Sequence, residues 1–322
     1  MNQENFAVNI NNYKETVENY LKNIFNDVIC QNCYFEADSN NASQNHETVL
    51  DPRSILKEAM IYSLTAKSKR VRPLLVVLVF LLFEKETELY KILPLAGAIE
   101  IIHTYSLIHD DLPSMDNDDF RRGQLTCHKK FGEDMAILAG DTLNTFAFEL
   151  ISKELIKSFP AEKVLQVVLE LSKALGICGM AGGQVLDLRS ELGPRDEAYL
   201  TKTHHLKTGA LLKVCFTLPG ILAGASEEEL AKLADLGETI GLLFQIKDDI
   251  LDVVQEKNIL GKSAKKDLAQ NKLTYVTLLG LEKAREKAES EDQKAKKILA
   301  ELSYLEIKQL AYFLEQLYLR KF

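Results

Sequence analysis

The chain has 322 residues, 46% of them apolar, and a formal net charge of −8. That composition supplies a sizeable core, and the negative balance argues against nucleic acid as the main partner. Seven prolines and 16 glycines are few for an all-β protein with many turns, and five cysteines, an odd count set mostly in apolar stretches, fit a reducing cytoplasm.

Met1-Asn2-Gln3-Glu4-Asn5 carries neither the cationic nor the apolar region of a signal peptide. Apolar positions at Tyr13, Val17, Tyr20, Leu21, Ile24 and Phe25 mark one face of a helix over 11–29. Residues 35–50, rich in Asn and Ser, read as a loop, so 1–52 is an N-terminal helix with a polar loop. Cys30 and Cys33 form a lone CxxC without a second Cys or His pair nearby, and read as surface-loop cysteines rather than a zinc site. A helix resumes over 53–66. Pro73 follows the basic stretch Lys67-Ser68-Lys69-Arg70-Val71-Arg72 and suits a first helical position. The almost wholly apolar helix it opens belongs in the core.

Pro94 opens a helix through Ile99, Ile102 and Leu107 to Asp110-Asp111, and Pro113 should end it. Further helices are expected at 134–157, 161–176, 196–223, 227–253, 271–290 and 304–319, with a loop over 258–271. The apolar run Leu74 to Phe83 falls short of the ~20 residues of a membrane span, and 209–225 contains Lys213 and Pro219. Both read as buried helices of a soluble protein without stable membrane insertion. No repeat, low-complexity tract or linker interrupts the pattern. The expected fold is one all-α domain over 1–322.

Two acidic clusters carry the chemistry. The first is His109-Asp110-Asp111-Leu112-Pro113-Ser114-Met115-Asp116, with Arg121-Arg122-Gly123 just beyond. The second is Gln245, Asp248, Asp249 and Asp252, spaced i, i+3, i+4 and i+7 on one helical stripe with apolar flanks. Carboxylates crowded on a buried stripe require a cation between them. Hard oxygen donors favour Mg²⁺, which binds through a few carboxylates, waters and substrate phosphates. His103 lies two turns before Asp110, about 10 Å along the axis on the same stripe. A second anion fits there; taken alone, His103 reads as a hydrogen-bonded core histidine. The basic stretch at 67–72 stands before a helix N-terminus that favours phosphate. Lys207-Thr208-Gly209, Gly261-Lys262 and Lys272 add cations, and Gly182-Gly183-Gln184 with Asp187 adds a close-approach glycine pair.

Together these elements resemble the trans-prenyl diphosphate synthases, from about residue 53 to the end. The motifs that carry the resemblance are Asp110-Asp111-Leu112-Pro113-Ser114-Met115-Asp116, with four residues between the acidic pair and the third Asp, and Asp248-Asp249-Ile250-Leu251-Asp252 after Phe244-Gln245. Phe131-Gly132-Glu133, Ala136-Ile137-Leu138-Ala139-Gly140-Asp141, Gly179-Met180-Ala181-Gly182-Gly183-Gln184 and Lys207-Thr208-Gly209 match as well.

The resemblance implies an all-α bundle around a central cavity, a cytoplasmic enzyme and usually a homodimer. It implies that Asp110, Asp111, Asp116, Asp248, Asp249 and Asp252 converge on one pocket and hold three Mg²⁺ ions, with Mn²⁺ as a substitute, on an allylic diphosphate. Arg121, Lys207 and Lys262 contact that diphosphate, with Thr208 and Gln245 beside them. Lys69, Arg72, His103 and Arg122 bind isopentenyl diphosphate. Tyr105, with Ser106, is the floor under the growing chain, so the expected product is C15 farnesyl diphosphate made from dimethylallyl or geranyl diphosphate. The alternative is geranylgeranyl diphosphate or another short-chain product. This chain departs from the pattern where Lys67-Ser68 replaces a Gly-Gly pair and Lys265 replaces a Gly. A helical His-Asp phosphohydrolase needs further His ligands that His103 and His204-His205 do not supply at suitable spacing. A silent subunit of a heteromeric synthase typically loses carboxylates that this chain keeps.

Overall fold

The structure is a computed structural model, described here for residues 3–24, 51–259, 273–302, 304 and 306–319. The CxxC of Cys30 and Cys33, the loop over 35–50, Lys262 and Lys265 lie outside the described residues. The fold is all-α apart from one two-residue-per-strand hairpin. By internal packing it divides into two compact units interleaved in sequence: 7–74 with 93–155, and 1–6 with 75–92 and 156–322.

The first unit holds most of α1 (Gln3–Ile24), α2 (Arg53–Leu64), α4 (Leu93–Asp110), α5 (Cys127–Phe131) and α6 (Glu133–Glu154), and the start of α3 (Val71–Phe83). α4 begins with Pro94 at its second position, where no intrahelical N–H is required. Leu93 through Ile102 are all buried, and a helix apolar on every side belongs in a core. Gly97 admits the Tyr20 ring of α1, since a Cβ there would lie 3.0 Å from Tyr20 Cε1. α4 packs along α6.

The hairpin pairs β1 (Phe120–Arg121) with β2 (Gln124–Leu125). Its turn residues Arg122 and Gly123 have φ of 55° and 82°, the signature of a type I′ turn. The sequence pattern gave no strand here, because two residues are too few to show alternation.

The second unit contains the rest of α3, α7 (Ala161–Leu175), α8 (Met180–Leu188), α9 (Glu197–His204), α10 (Ala210–Ala223), α11 (Glu227–Ile259), α12 (Tyr275–Leu279), α13 (Leu281–Glu301) and α14 (Ile307–Leu319). The helix expected over 196–223 is interrupted: His205–Gly209 forms a π-turn between α9 and α10. Likewise 271–290 is not one helix, because Gly280 at φ 82° separates α12 from α13. α10 ends at Gly224 in the left-handed region, a residue type that pays no Cβ penalty there. α11 opens with a capping box: Glu229 Oε2 accepts from Ser226 N at 2.7 Å, and Glu229 N donates to Ser226 Oγ at 3.3 Å. Leu200, Leu242, Leu243, Ile246, Tyr275 and Ala284 form a core beneath the acidic stripe of α11. The stretches 161–188 and 197–223 have the length and hydropathy of a bilayer span, but the second is mostly buried against its own unit.

Candidate active site

The acidic motif of the first unit grows out of the end of α4. The helix stops at Asp110, and Asp116 N donates back to the Asp110 carbonyl at 2.8 Å, closing a compact turn around Pro113. Asp110 is half-buried, Asp111 buried and Asp116 exposed. Just before the motif, the His109 ring lies on the backbone of α6, with Nε2 3.1 Å from the Ile137 carbonyl. Only glycine at 140 allows this, because a Cβ there would fall 2.0 Å from His109 Nε2.

Asp111 does not stand alone. Arg121 Nε donates to its Oδ1 at 2.9 Å, and Arg121 Nη2 bonds both Asp111 and, at 3.0 Å, Asp118 Oδ2. Burial pushes the Asp111 carboxyl up from its ordinary value, against the pull of the Arg121 hydrogen bond. Arg121, expected on substrate, thus serves here as the counter-ion of a motif carboxylate. Asp118 was missed by sequence reasoning; its place three residues before Arg121 is the only signal. Behind this pair a small cavity of about 30 Å³ is lined by Thr104, Asp111, Arg121, Arg122 and Cys127 among others.

Two turns earlier on α4 the chemistry reverses sign. His103 Nε2 lies 3.2 Å from Arg72 Nη1. Burial, then the charges of Arg72, Arg122, Arg121 and Arg70, hold the imidazole well below its ordinary value of 6.5. It is therefore neutral at pH 7, accepts from Arg72 through Nε2, and carries its proton on Nδ1. Arg72 and Arg122 are half-buried and Lys69 is exposed. Arg72, His103 and Arg122 are brought together as expected. Tyr105 packs edge-on to His109 with ring centroids 6.0 Å apart, and Ser106 Oγ donates to the His103 carbonyl at 3.0 Å.

In the second unit, Gln245, Asp248, Asp249 and Asp252 lie on α11 above the buried Leu242, Leu243 and Ile246, the first three half-buried and Asp252 exposed. Asp249 Oδ2 accepts from Tyr275 N at 2.8 Å, holding the start of α12. Tyr275 hydrogen-bonds Thr201 at 2.7 Å and stacks on His204 at 5.6 Å. Burial raises its phenol to about 12.

Lys207 and Thr208, both half-buried, sit in the π-turn, a conformation frequent at functional sites. Lys207 Nζ donates to Asp187 Oδ2 on α8. Two glycine contacts set this placement. A Cβ on Gly183 would fall 2.1 Å from Lys207 N, and one on Gly241 would fall 2.9 Å from Gly209 Cα. The Gly-Gly pair read from sequence as permitting close approach does so against the backbone that carries Lys207.

Among the described residues no three His, Cys, Asp or Glu groups are gathered at metal-holding spacing. The donors present are carboxylate oxygens, which suit a hard divalent ion whose shell is completed by water and phosphate. An all-helical fold presenting aspartate-rich motifs and an arginine–histidine cluster defines an enzyme class that handles diphosphates. A profile of the polyprenyl synthetase family matches residues 53–312. Geranylgeranyl pyrophosphate synthase, chloroplastic, of Catharanthus roseus is 47% identical over 81% of this chain and 72% of its own length. Farnesyl diphosphate synthase of Bacillus subtilis is 43% identical over 84% of this chain and 92% of its own. A crystal structure of geranyltransferase from Helicobacter pylori, complexed with magnesium and isoprenyl diphosphate, aligns at a TM-score of 0.77 and 32% identity over 96% of both chains. The chain belongs to the polyprenyl synthetase family, the trans-prenyl diphosphate synthases.

Two outcomes follow from this geometry. Gly183→Ala places a methyl group against backbone that cannot rotate away, and should cost about 1–3 kcal/mol in urea denaturation and shift the resonances of Lys207. His103 is depressed in the folded state, so its stabilising contribution is full above the unfolded value of 6.5 and is lost as pH falls below it. His103→Asn should therefore lose less stability than the parent between pH 7 and pH 5; equal losses would contradict the buried neutral ring.

Proposed function

We propose that the protein condenses isopentenyl diphosphate with an allylic diphosphate, dimethylallyl or geranyl, in the trans configuration, chiefly to C15 farnesyl diphosphate with release of diphosphate. The observation that carries this is the division of α4 into two anion-handling regions. Arg72, His103 and Arg122 can bind one diphosphate directly, while Asp110, Asp111 and Asp116 can bind another only through cations.

Asp110, Asp111 and Asp116 in one motif, and Asp248, Asp249 and Asp252 in the other, are the residues that would hold Mg²⁺ ions on the allylic diphosphate. The bound ions would supply Lewis-acid stabilisation of charge on the leaving diphosphate. Lys207, Thr208, Gln245, Arg121 and Lys262 bind and orient that group, Arg121 by moving from Asp111 to phosphate. Arg72, Arg122 and Lys69 hold isopentenyl diphosphate, and His103 donates from Nδ1. The allylic C–O bond breaks, the double bond of isopentenyl diphosphate attacks the resulting cation, and a proton is lost to the departing diphosphate. Apolar helix surfaces exclude water from the cation.

The relatives are named for both farnesyl and geranylgeranyl products, so the chain-length assignment rests on Tyr105. Its ring is packed against His109, and burial, then Asp110, push its hydroxyl to about 12. A rigid ring near the motif would stop chain growth. The same resemblance carries the expectation that residues 1–322 work as one catalytic domain in a cytoplasmic homodimer.

Asp110→Ala and Asp248→Ala should each lower turnover roughly a hundredfold or more while leaving the far-ultraviolet dichroism unchanged. Near-normal turnover in both would remove the assignment. Tyr105→Ala should shift the product toward longer chains, read by chromatography of the dephosphorylated alcohols; an unchanged profile would place the floor elsewhere.

A further inference from the structure

Four guanidinium groups, those of Arg70, Arg72, Arg121 and Arg122, bear on His103. Among them lies one buried carboxylate that no reading of the sequence singled out. Glu100 is 1% exposed, one turn before His103 on α4. Its Oε1 accepts from Arg70 Nη1 at 2.6 Å and from Ser68 Oγ at 3.4 Å, and stands 4.0 Å from Arg122 Nη2. Arg70 is itself buried; its Nη2 donates to the Leu64 carbonyl at 2.9 Å and the Ala66 carbonyl at 3.3 Å. Its backbone φ is 53°, a region that a non-glycine residue occupies only when its surroundings hold it there. Ser68 Oγ also accepts from Arg70 N at 3.3 Å.

We propose that Glu100, assisted by Ser68, is a positioning residue for isopentenyl diphosphate. The inference rests on the function proposed above and deepens it. Glu100 does not touch the substrate. It ties Arg70 to α4, and so fixes the turn that carries Lys69 and leads into Arg72. It also offsets the repulsion between Arg70 and Arg122, which lets Arg122 stay beside Arg72 and His103. Without that charge, the guanidinium groups separate and the diphosphate has to gather them itself. Ser68 stands where the resemblance puts a glycine. Its hydroxyl joins the turn to the same carboxylate, a link that glycine cannot make.

A purely structural ion pair would change thermal stability without favouring one substrate, so the test separates the two substrates. Glu100→Gln keeps the shape and removes the charge. It should raise KM for isopentenyl diphosphate roughly tenfold, the scale of one charge-assisted hydrogen bond. KM for geranyl diphosphate and kcat should stay within about twofold. Ser68→Ala should give a smaller rise in the same constant, and Ser68→Thr should restore it. Calorimetric titration with inorganic diphosphate in the absence of metal should show the same order of affinities: wild type, Ser68→Ala, Glu100→Gln. An unchanged KM for isopentenyl diphosphate would overturn the proposal, as would a parallel rise in both KM values with loss of thermal stability. If Glu100→Gln does not fold, Ser68→Ala decides by the same criteria. A wild-type protein that consumes no isopentenyl diphosphate would instead overturn the proposed function, while the diphosphate titration would still report on Glu100.

Discussion

Charge buried along a single helix is the constraint on which the rest of the first unit depends. α4 is apolar on every side for most of its length, yet it carries Glu100, His103, Asp110 and Asp111 at low exposure. Each charged or polar group in such a place needs a partner, because desolvating a lone charge costs far more than a helix of this size returns in packing. The partners come from outside the helix. Arg70 meets Glu100, Arg72 meets His103, and Arg121 crosses from the hairpin to Asp111. The hairpin is therefore a consequence of the electrostatics as much as of its turn chemistry. Arg122 and Gly123 reverse the chain sharply enough to bring Arg121 and Arg122 back over α4.

Much of this was legible in the residues. Pro94 and Pro113 bracketed the helix to within a few positions, since proline acts on backbone geometry at a fixed place. The i, i+3, i+4, i+7 spacing put the second acidic set on one stripe of α11, with Leu242, Leu243 and Ile246 buried beneath it. What escaped was set by tertiary contact. Nothing local distinguishes Arg70, which turns inward to Glu100, from Lys69, which stays exposed. Nothing local shows that Asp249 accepts from Tyr275 N across 26 positions of sequence, or that His109 needs Gly140. The break at Gly280 was visible as a glycine, but a helix tolerates an isolated glycine at ~1 kcal/mol, so only its φ of 82° settles the matter.

Two of the carboxylates expected to bind metal are thus engaged with the protein itself. Asp111 holds Arg121, and Asp249 holds the first N–H of α12. Such pairing keeps the charges satisfied within the fold and orients the oxygens before a ligand arrives. Lys207 on Asp187 follows the same logic from the cationic side. An anionic ligand would be received by groups that already have defined positions, at the expense of exchanging one ionic partner for another.

The π-turn at His205–Gly209 gives the long helical stretch one residue more per turn than an α-helix uses. That extra residue lets Lys207 lean toward Asp187 while the buried face of α10, from Leu211 through Leu222, keeps its register against α7 and α11. Excising a single residue from the turn would restore ordinary winding, and everything downstream would swivel by about 100°. Leu211, Val214 and Leu218 would then face outward and Lys213 inward, so the stretch tolerates changes of side chain far better than changes of length.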